Sequence, residues 1–148
     1  MWYWDTSALL KLYLPEHDSA YFLGLIETAA QPVFSSAIAA TEVACALLRK
    51  EHSAGLKPGG AGVLLRRFRA DCHAGRLVLV PYGADVAAET EKLAKTALAQ
   101  CPPVVIRSLD VIHLASASIM KATPVVATDN RLRDLAQVLG IPVLPEPR

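Results

Sequence analysis

Short apolar runs of β-favouring residues alternate along this chain with longer stretches of helical period, and that alternation leaves few folds open. The β-favouring runs fall at residues 2–4, 33–35, 77–80, 125–127 and 142–144. Between them the periodicity predicts helices over residues 7–14, 19–30, 37–52, 60–74, 84–99, 109–121 and 131–139. Pro15, Pro32, Pro81, Pro102, Pro103 and Pro124 fall between these segments, and residues 55–62 form a glycine-rich gap. Gly140 follows the last helical stretch, where a C-terminal cap is expected. Strands joined through helices by short connections run parallel, and a parallel sheet needs cover on both faces. The expected fold class is therefore α/β, a three-layer α/β/α arrangement around a central parallel sheet. Ligands of such sheets bind outside the carboxyl ends of the strands.

A length of 148 residues suits one domain, and no repeat, low-complexity tract or linker divides it. Residues 1–148 are read as a single unit. Apolar residues make up 53% and charged residues 20%, a globular balance. The most apolar stretch, residues 32–48, is broken by Ser35, Ser36, Thr41 and Glu42 and is too short and polar to span a bilayer. No basic region followed by an apolar run marks the start for secretion, so the expected setting is cytoplasmic, without a membrane. Cys45, Cys72 and Cys101 are widely spaced and lack a Cys-x-x-Cys pair, so reduced, mostly buried thiols are expected. The formal charge of +1 carries no global signature of nucleic-acid binding; only local patches can supply one.

Four acids fall where this architecture gathers side chains. Asp5 immediately follows the first predicted strand and Asp129 a later one, so both belong to one edge of the sheet. Asp110 sits in the first turn of the helix predicted over 109–121, and Glu42 one turn into that over 37–52. Capping accounts equally well for Asp5 and Asp129, and the helix dipole favours Asp110 after Ser108. Glu42 resists such an account. From Ala37 to Leu48 every residue but Thr41 and Glu42 is apolar, so this helix is expected to be buried nearly all round. A carboxylate there costs several kcal/mol unless it is paired or binds a metal. No basic residue precedes it nearby, and that points to a cation. Four carboxylates in one pocket repel each other, and bound Mg²⁺ or Mn²⁺, hard ions that prefer oxygen ligands, removes the conflict. Hydrolysis of a phosphodiester is the chemistry such a cluster suits.

These residues also carry a resemblance. Asp5-Thr6-Ser7-Ala8-Leu9-Leu10-Lys11-Leu12-Tyr13 resembles the opening motif of PIN-domain ribonucleases, and is most similar to that of the VapC toxins of toxin–antitoxin pairs. Ser35-Ser36 followed by Thr41-Glu42-Val43 resembles the second motif, Leu109-Asp110-Val111-Ile112-His113-Leu114-Ala115 the third, and Thr128-Asp129-Asn130-Arg131-Leu132 the fourth. The likeness runs to about Gly140 in the expected order. It implies that Asp5, Glu42 and Asp110 bind Mg²⁺ or Mn²⁺, with Asp129 completing the acidic pocket directly or through water. Thr6 or Ser7 would position a ligand or the Asp5 carboxylate. It further implies an RNA substrate, a cognate antitoxin that blocks the site, and a homodimer. The fourth motif departs from the pattern, with Ala127 two positions before the acid where a hydroxyl residue is common; Thr128 is adjacent.

Other residues carry competing readings. His113, three positions after Asp110, either orients Asp110 by a hydrogen bond, ligates a metal or packs in the core. Lys11 meets a phosphate or is simply solvated. Arg66, Arg67 and Arg69 form the densest basic cluster, either an RNA grip or one polar helix face. Asp134, further along a helix, reads as solvated. Trp2, Tyr3 and Trp4 read as core or interface before base-stacking. Two other functions remain on the table: a catalytically weak or inactive PIN-like domain that binds RNA or a partner protein, and a different phosphate enzyme on a similar sheet. A haloacid-dehalogenase-like phosphatase needs a second Asp two residues after the first, where this chain has Ser7.

Overall fold

The structure, a computed structural model, describes residues 1–29, 31–100 and 104–146. Five strands, β1 (Tyr3–Trp4), β2 (Val33–Ser36), β3 (Leu77–Val80), β4 (Val125–Val126) and β5 (Val143–Leu144), make one sheet in the order β3-β2-β1-β4-β5. Every pairing is parallel, as the intervening helices require. Among the described residues the helices are α1 (Thr6–Leu10), α2 (Ser19–Ala29), α3 (Ile38–His52), α4 (Gly60–His73), α5 (Ala84–Leu98), α6 (Ser108–Ile119) and α7 (Asn130–Val138). The three-layer α/β/α expectation holds.

The alternation of side chains along a strand sorts the core into two halves. Trp4 and Val126 face a cluster with Leu9, Phe22, Val43, Leu47 and Phe68, from α1 to α4. Their neighbours Tyr3 and Val125 face the opposite cluster, with Ala97, Val111, Leu114, Leu132 and Leu135 from α5 to α7. The register Tyr3↔Val125 and Trp4↔Val126 keeps each pair on one face. The chain runs outward from β1 to β3 on one side and from β4 to β5 on the other, so the strand order reverses between β1 and β4. A crevice opens at such a reversal, beyond the carboxyl ends of the strands.

Three expectations need correction. The helix predicted over 7–14 ends at Leu10, and residues 11–13 tighten into turns in which Lys11, Leu12 and Tyr13 donate to the carbonyls of Ala8, Leu9 and Leu10. Pro15 disfavours helical backbone in the residue before it, so the segment cannot continue as α-helix to its predicted end. The helix carrying Glu42 is not buried all round: only Ala39, Val43 and Leu47 are, a stripe at four-residue spacing, while Thr41, Cys45 and Leu48 are exposed. Alanine and cysteine are small enough to be tolerated on an open face, so an apolar run overstated the burial. The thiols follow suit: Cys45 is exposed, Cys72 half-buried, and Cys101 lies outside the described residues. Other boundaries shift by a residue or two, and residue 30, the predicted end of the second helix, is also outside the description. Gly140 does cap α7, at φ 69°. No helix among the described residues is long and apolar enough to cross a membrane.

Candidate active site

The turns after β1 and β4 are stitched together by one hydroxyl. Asp5 leaves β1 with its amide donating to the Val126 carbonyl at 3.0 Å, and its Oδ1 accepts the Ala8 amide at 2.9 Å to cap α1. Ser7 Oγ donates to the Asp5 carboxylate, 2.7 and 2.8 Å from its two oxygens, and accepts the amides of Thr128 at 2.8 Å and Asp129 at 3.0 Å. That uses the donor and both lone pairs of the hydroxyl. Asp129 in turn caps α7 through Oδ1, which accepts the Arg131 amide at 2.8 Å. Capping and membership of the cluster are therefore not rivals. A carboxylate has two oxygens, and the cap fixes the acid at the sheet edge.

Glu42 arrives from the other side, on α3. The residues at helical spacing on one face of α3, Glu42, Cys45, Ala46 and Arg49, line the same cavity as Asp5, Asp110 and Asp129. The absence of a basic partner expected from sequence does not hold in space. His113 Nε2 lies 2.8 Å from Glu42 Oε2, and Thr6 Oγ1 donates to that oxygen as well. His113 is packed in the core, 2% exposed, with Nδ1 2.7 Å from the Tyr3 hydroxyl. Core packing, one of the readings open in the sequence, is what the structure shows, and the Nε2 hydrogen bond of His113 goes to Glu42, not to Asp110. The reason is that α3 packs on α1 and both α3 and α6 pack on β2, which brings His113, one turn beyond Asp110, within reach of Glu42; no local pattern encodes that packing.

The cavity holds about 400 Å³ and gathers all four acids. Burial raises the Asp5 carboxyl from its ordinary 3.8 to about 6, opposed by the His113 imidazole, the Ala8 amide and the Ser7 hydroxyl. Burial also raises Asp110, helped by the charge of Asp129 and opposed by Arg107. Glu42 goes the other way: burial pushes it up, but hydrogen bonds from His113 and Thr6 prevail and hold it below the usual range. Acids pushed apart in this way divide the labour of a site.

The donor set fits a hard divalent cation. All four side chains offer oxygen, and among the described residues no hydrogen bond reaches Glu42 Oε1, Asp129 Oδ2 or either Asp110 oxygen. As placed, no three acidic, histidine or cysteine side chains of the described residues form a finished ligand cage. The fit rests on donor chemistry and free lone pairs.

Several expected residues stand elsewhere. Lys11 is tied to Glu16 at 2.6 Å and Asp18 at 2.8 Å, and does not line the cavity. Arg66, Arg67 and Arg69 are exposed on α4 and do not line the cavity; Arg67 lies over the Tyr13 ring, 5.6 Å from its centroid. Thr128 contributes its backbone amide, and Ala127 is fully buried beneath it. Asp134 is exposed, and Tyr3 and Trp4 are core. Among the described residues the cations that do attend the acids are Arg49, on the cavity wall, and Arg107, beside Asp110. Arg49 carried a signal in the sequence, seven residues after Glu42 and so on the same helical face. Arg107 carried none.

A family model described as PIN domain matches residues 3–138. No curated protein matches the chain. Among solved structures, VapBC2 from Rickettsia felis, bound to a DNA fragment from its promoter, contains a chain 15% identical at a TM-score of 0.67. That match covers 96% of each chain. FitAcB from Neisseria gonorrhoeae contains one 22% identical at a TM-score of 0.68, covering 97% of this chain and 96% of its own. At such identities the likeness is one of fold.

Proposed function

The chain belongs to the PIN-domain family, whose members are generally nucleases, and from that premise we propose that it is a divalent-metal-dependent endoribonuclease, the toxin of a toxin–antitoxin pair. The observation that carries the proposal is the convergence of Asp5, Glu42, Asp110 and Asp129 from four separate elements onto one cavity beyond the strand ends.

Asp5, Glu42 and Asp110 would hold Mg²⁺ or Mn²⁺, with Asp129 at its margin. A divalent ion held there would supply a more acidic water and would offset charge on the leaving oxygen of a phosphodiester. Ser7 fixes Asp5, while Thr6 and His113 fix Glu42, so the acids are oriented before substrate arrives. Arg49, on the cavity wall, and Arg107, beside Asp110, would neutralise two phosphates of a bound RNA. The solved structures of like fold are named as two-component complexes, which supports an antitoxin partner; it would block this cavity, and a homodimer is the expected assembly.

The test is incubation of mixed RNA with the wild-type protein, freed of any co-purified partner, and with Asp5→Asn and Glu42→Gln, in Mg²⁺, Mn²⁺ or chelator. Metal-dependent cleavage by wild type and a loss of at least about a hundredfold in both folded variants is expected. Undiminished cleavage by both variants would reject the site. Retained RNA binding with no cleavage in any metal would instead favour a non-catalytic binding domain, the reading that Ala127 in the fourth motif motivates.

A further inference from the structure

Glu42 is held by a chain of buried groups that begins on the central strand. The Tyr3 ring is fully buried on β1 and meets the His113 ring edge to face, with centroids 5.8 Å apart at 71°. Its hydroxyl is 2.7 Å from Nδ1, a bond that joins residues 110 positions apart. On the other side of the imidazole, Nε2 is 2.8 Å from Glu42 Oε2 and 3.3 Å from Thr6 Oγ1. An imidazole nitrogen that accepts a hydroxyl proton is bare, and in the neutral ring the other nitrogen then carries the hydrogen. The opposite tautomer would set the Nε2 lone pair against a carboxylate oxygen at 2.8 Å, with no proton between them. Of the two neutral forms, only the one with hydrogen on Nε2 makes both contacts bonds.

We propose that Tyr3 is a positioning residue of this site: by donating to His113 Nδ1 it fixes the tautomer that pins Glu42 Oε2 and leaves Oε1 as the oxygen offered to the cavity. This rests on the metal-site reading above and adds Tyr3, which no acidic motif includes. Two donors, His113 Nε2 and Thr6 Oγ1, converge on Oε2, and none from a described residue reaches Oε1. The relay also denies His113 to a cation, because Nδ1 is engaged by Tyr3 in the core and Nε2 by Glu42 at the cavity wall. It couples two ligand-bearing helices as well, since His113 lies one turn beyond Asp110 on α6 while Glu42 lies on α3. Partners of this kind behind metal ligands change affinity by roughly ten- to a hundredfold when removed.

Tyr3→Phe deletes the hydroxyl and keeps the buried ring. In wild type, ¹⁵N shifts of His113 are expected to show hydrogen on Nε2 and a bare Nδ1. In Tyr3→Phe they should move toward mixed tautomers, and Mn²⁺ binding followed by EPR should weaken about tenfold with the fold intact by circular dichroism. His113→Gln can still accept from Tyr3 and donate to Glu42, so it should keep more Mn²⁺ affinity than His113→Leu. Hydrogen on Nδ1 in wild type, or unchanged Mn²⁺ affinity in folded Tyr3→Phe, overturns the proposal. Should wild type bind no Mn²⁺ at all, the metal-site reading fails by itself, and the relay stands or falls on the nitrogen shifts alone.

Discussion

Asp5 is 3% exposed, and at neutral pH it must carry a charge there. Its carboxyl is raised to about 6 from 3.8, so the fold favours the protonated form. The stabilisation this confers is present in full below about 4 and is lost as pH rises through about 6. The difference is on the order of 3 kcal/mol, about 1.4 for each of roughly two units. The groups that face Asp5 set its size: the His113 imidazole, the Ser7 hydroxyl and the Ala8 amide favour the anion, while burial opposes it. Chelator-treated protein should therefore lose stability to urea between pH 4 and 7, beyond what the Asp5→Asn variant loses over the same range. A proton on Asp5 also competes with a cation, so apparent Mg²⁺ affinity should climb with pH up to about 6 and level off above it. A flat urea midpoint across that range in wild type would show that Asp5 ionises freely.

At the scale of elements, α3 does two jobs with one sequence of mostly small apolar residues. Ala39, Val43 and Leu47 lock it to the sheet, and the adjacent face carries Glu42 and Arg49 to the cavity. Leu47 and Leu48 are neighbours of the same type, yet Leu47 is fully buried and Leu48 is 55% exposed. Leu47→Ala should cost about 2–5 kcal/mol through the cavity it leaves, whereas Leu48→Ala should change stability by less than about 0.5 kcal/mol. Urea titration of both variants checks this, and equal losses would mean that α3 sits in another rotation about its axis. The short α1 has a comparable role. Its early end at Leu10 lets Lys11 turn to Glu16 and Asp18, away from the acids. Lys50 of α3 meets the same Glu16 at 3.1 Å, so the turn is tethered to α3 by a partly exposed ion network.

For the molecule as a whole, a charge of +1 leaves no broad field to collect nucleic acid. Among the described residues the cations near the acids are Arg49 and Arg107, and the basic cluster on α4 does not line the cavity. Binding of single-stranded RNA by the proposed nuclease should then show a shallow salt dependence. The slope is about −1.4 in log affinity against log salt, from two phosphate contacts at roughly 0.7 each. Arg49→Ala should reduce it by about half, while Arg66→Ala should leave it unchanged. A slope several times steeper, reduced by Arg66→Ala, would show that α4 carries the RNA after all.

Much of this was written in local pattern. The alternation of strand and helix fixed a parallel sheet with two covered faces, and position at the strand ends marked Asp5 and Asp129, because backbone period and strand–helix turns depend on near neighbours. The acids of α3 and α6 were legible too, through the PIN-like motifs around Glu42 and Asp110. Tertiary structure alone decided the rest. It set β1 beside β4, so that Ser7 could hold the amides of Thr128 and Asp129. It turned one face of α3 outward where composition implied burial all round, gave His113 to Glu42 instead of Asp110, and chose Arg49 over the denser arginines of α4. Each of these joins residues far apart in the chain. Such contacts are selected by how the layers pack against each other, and a period of 3.6 or of two carries no record of that choice.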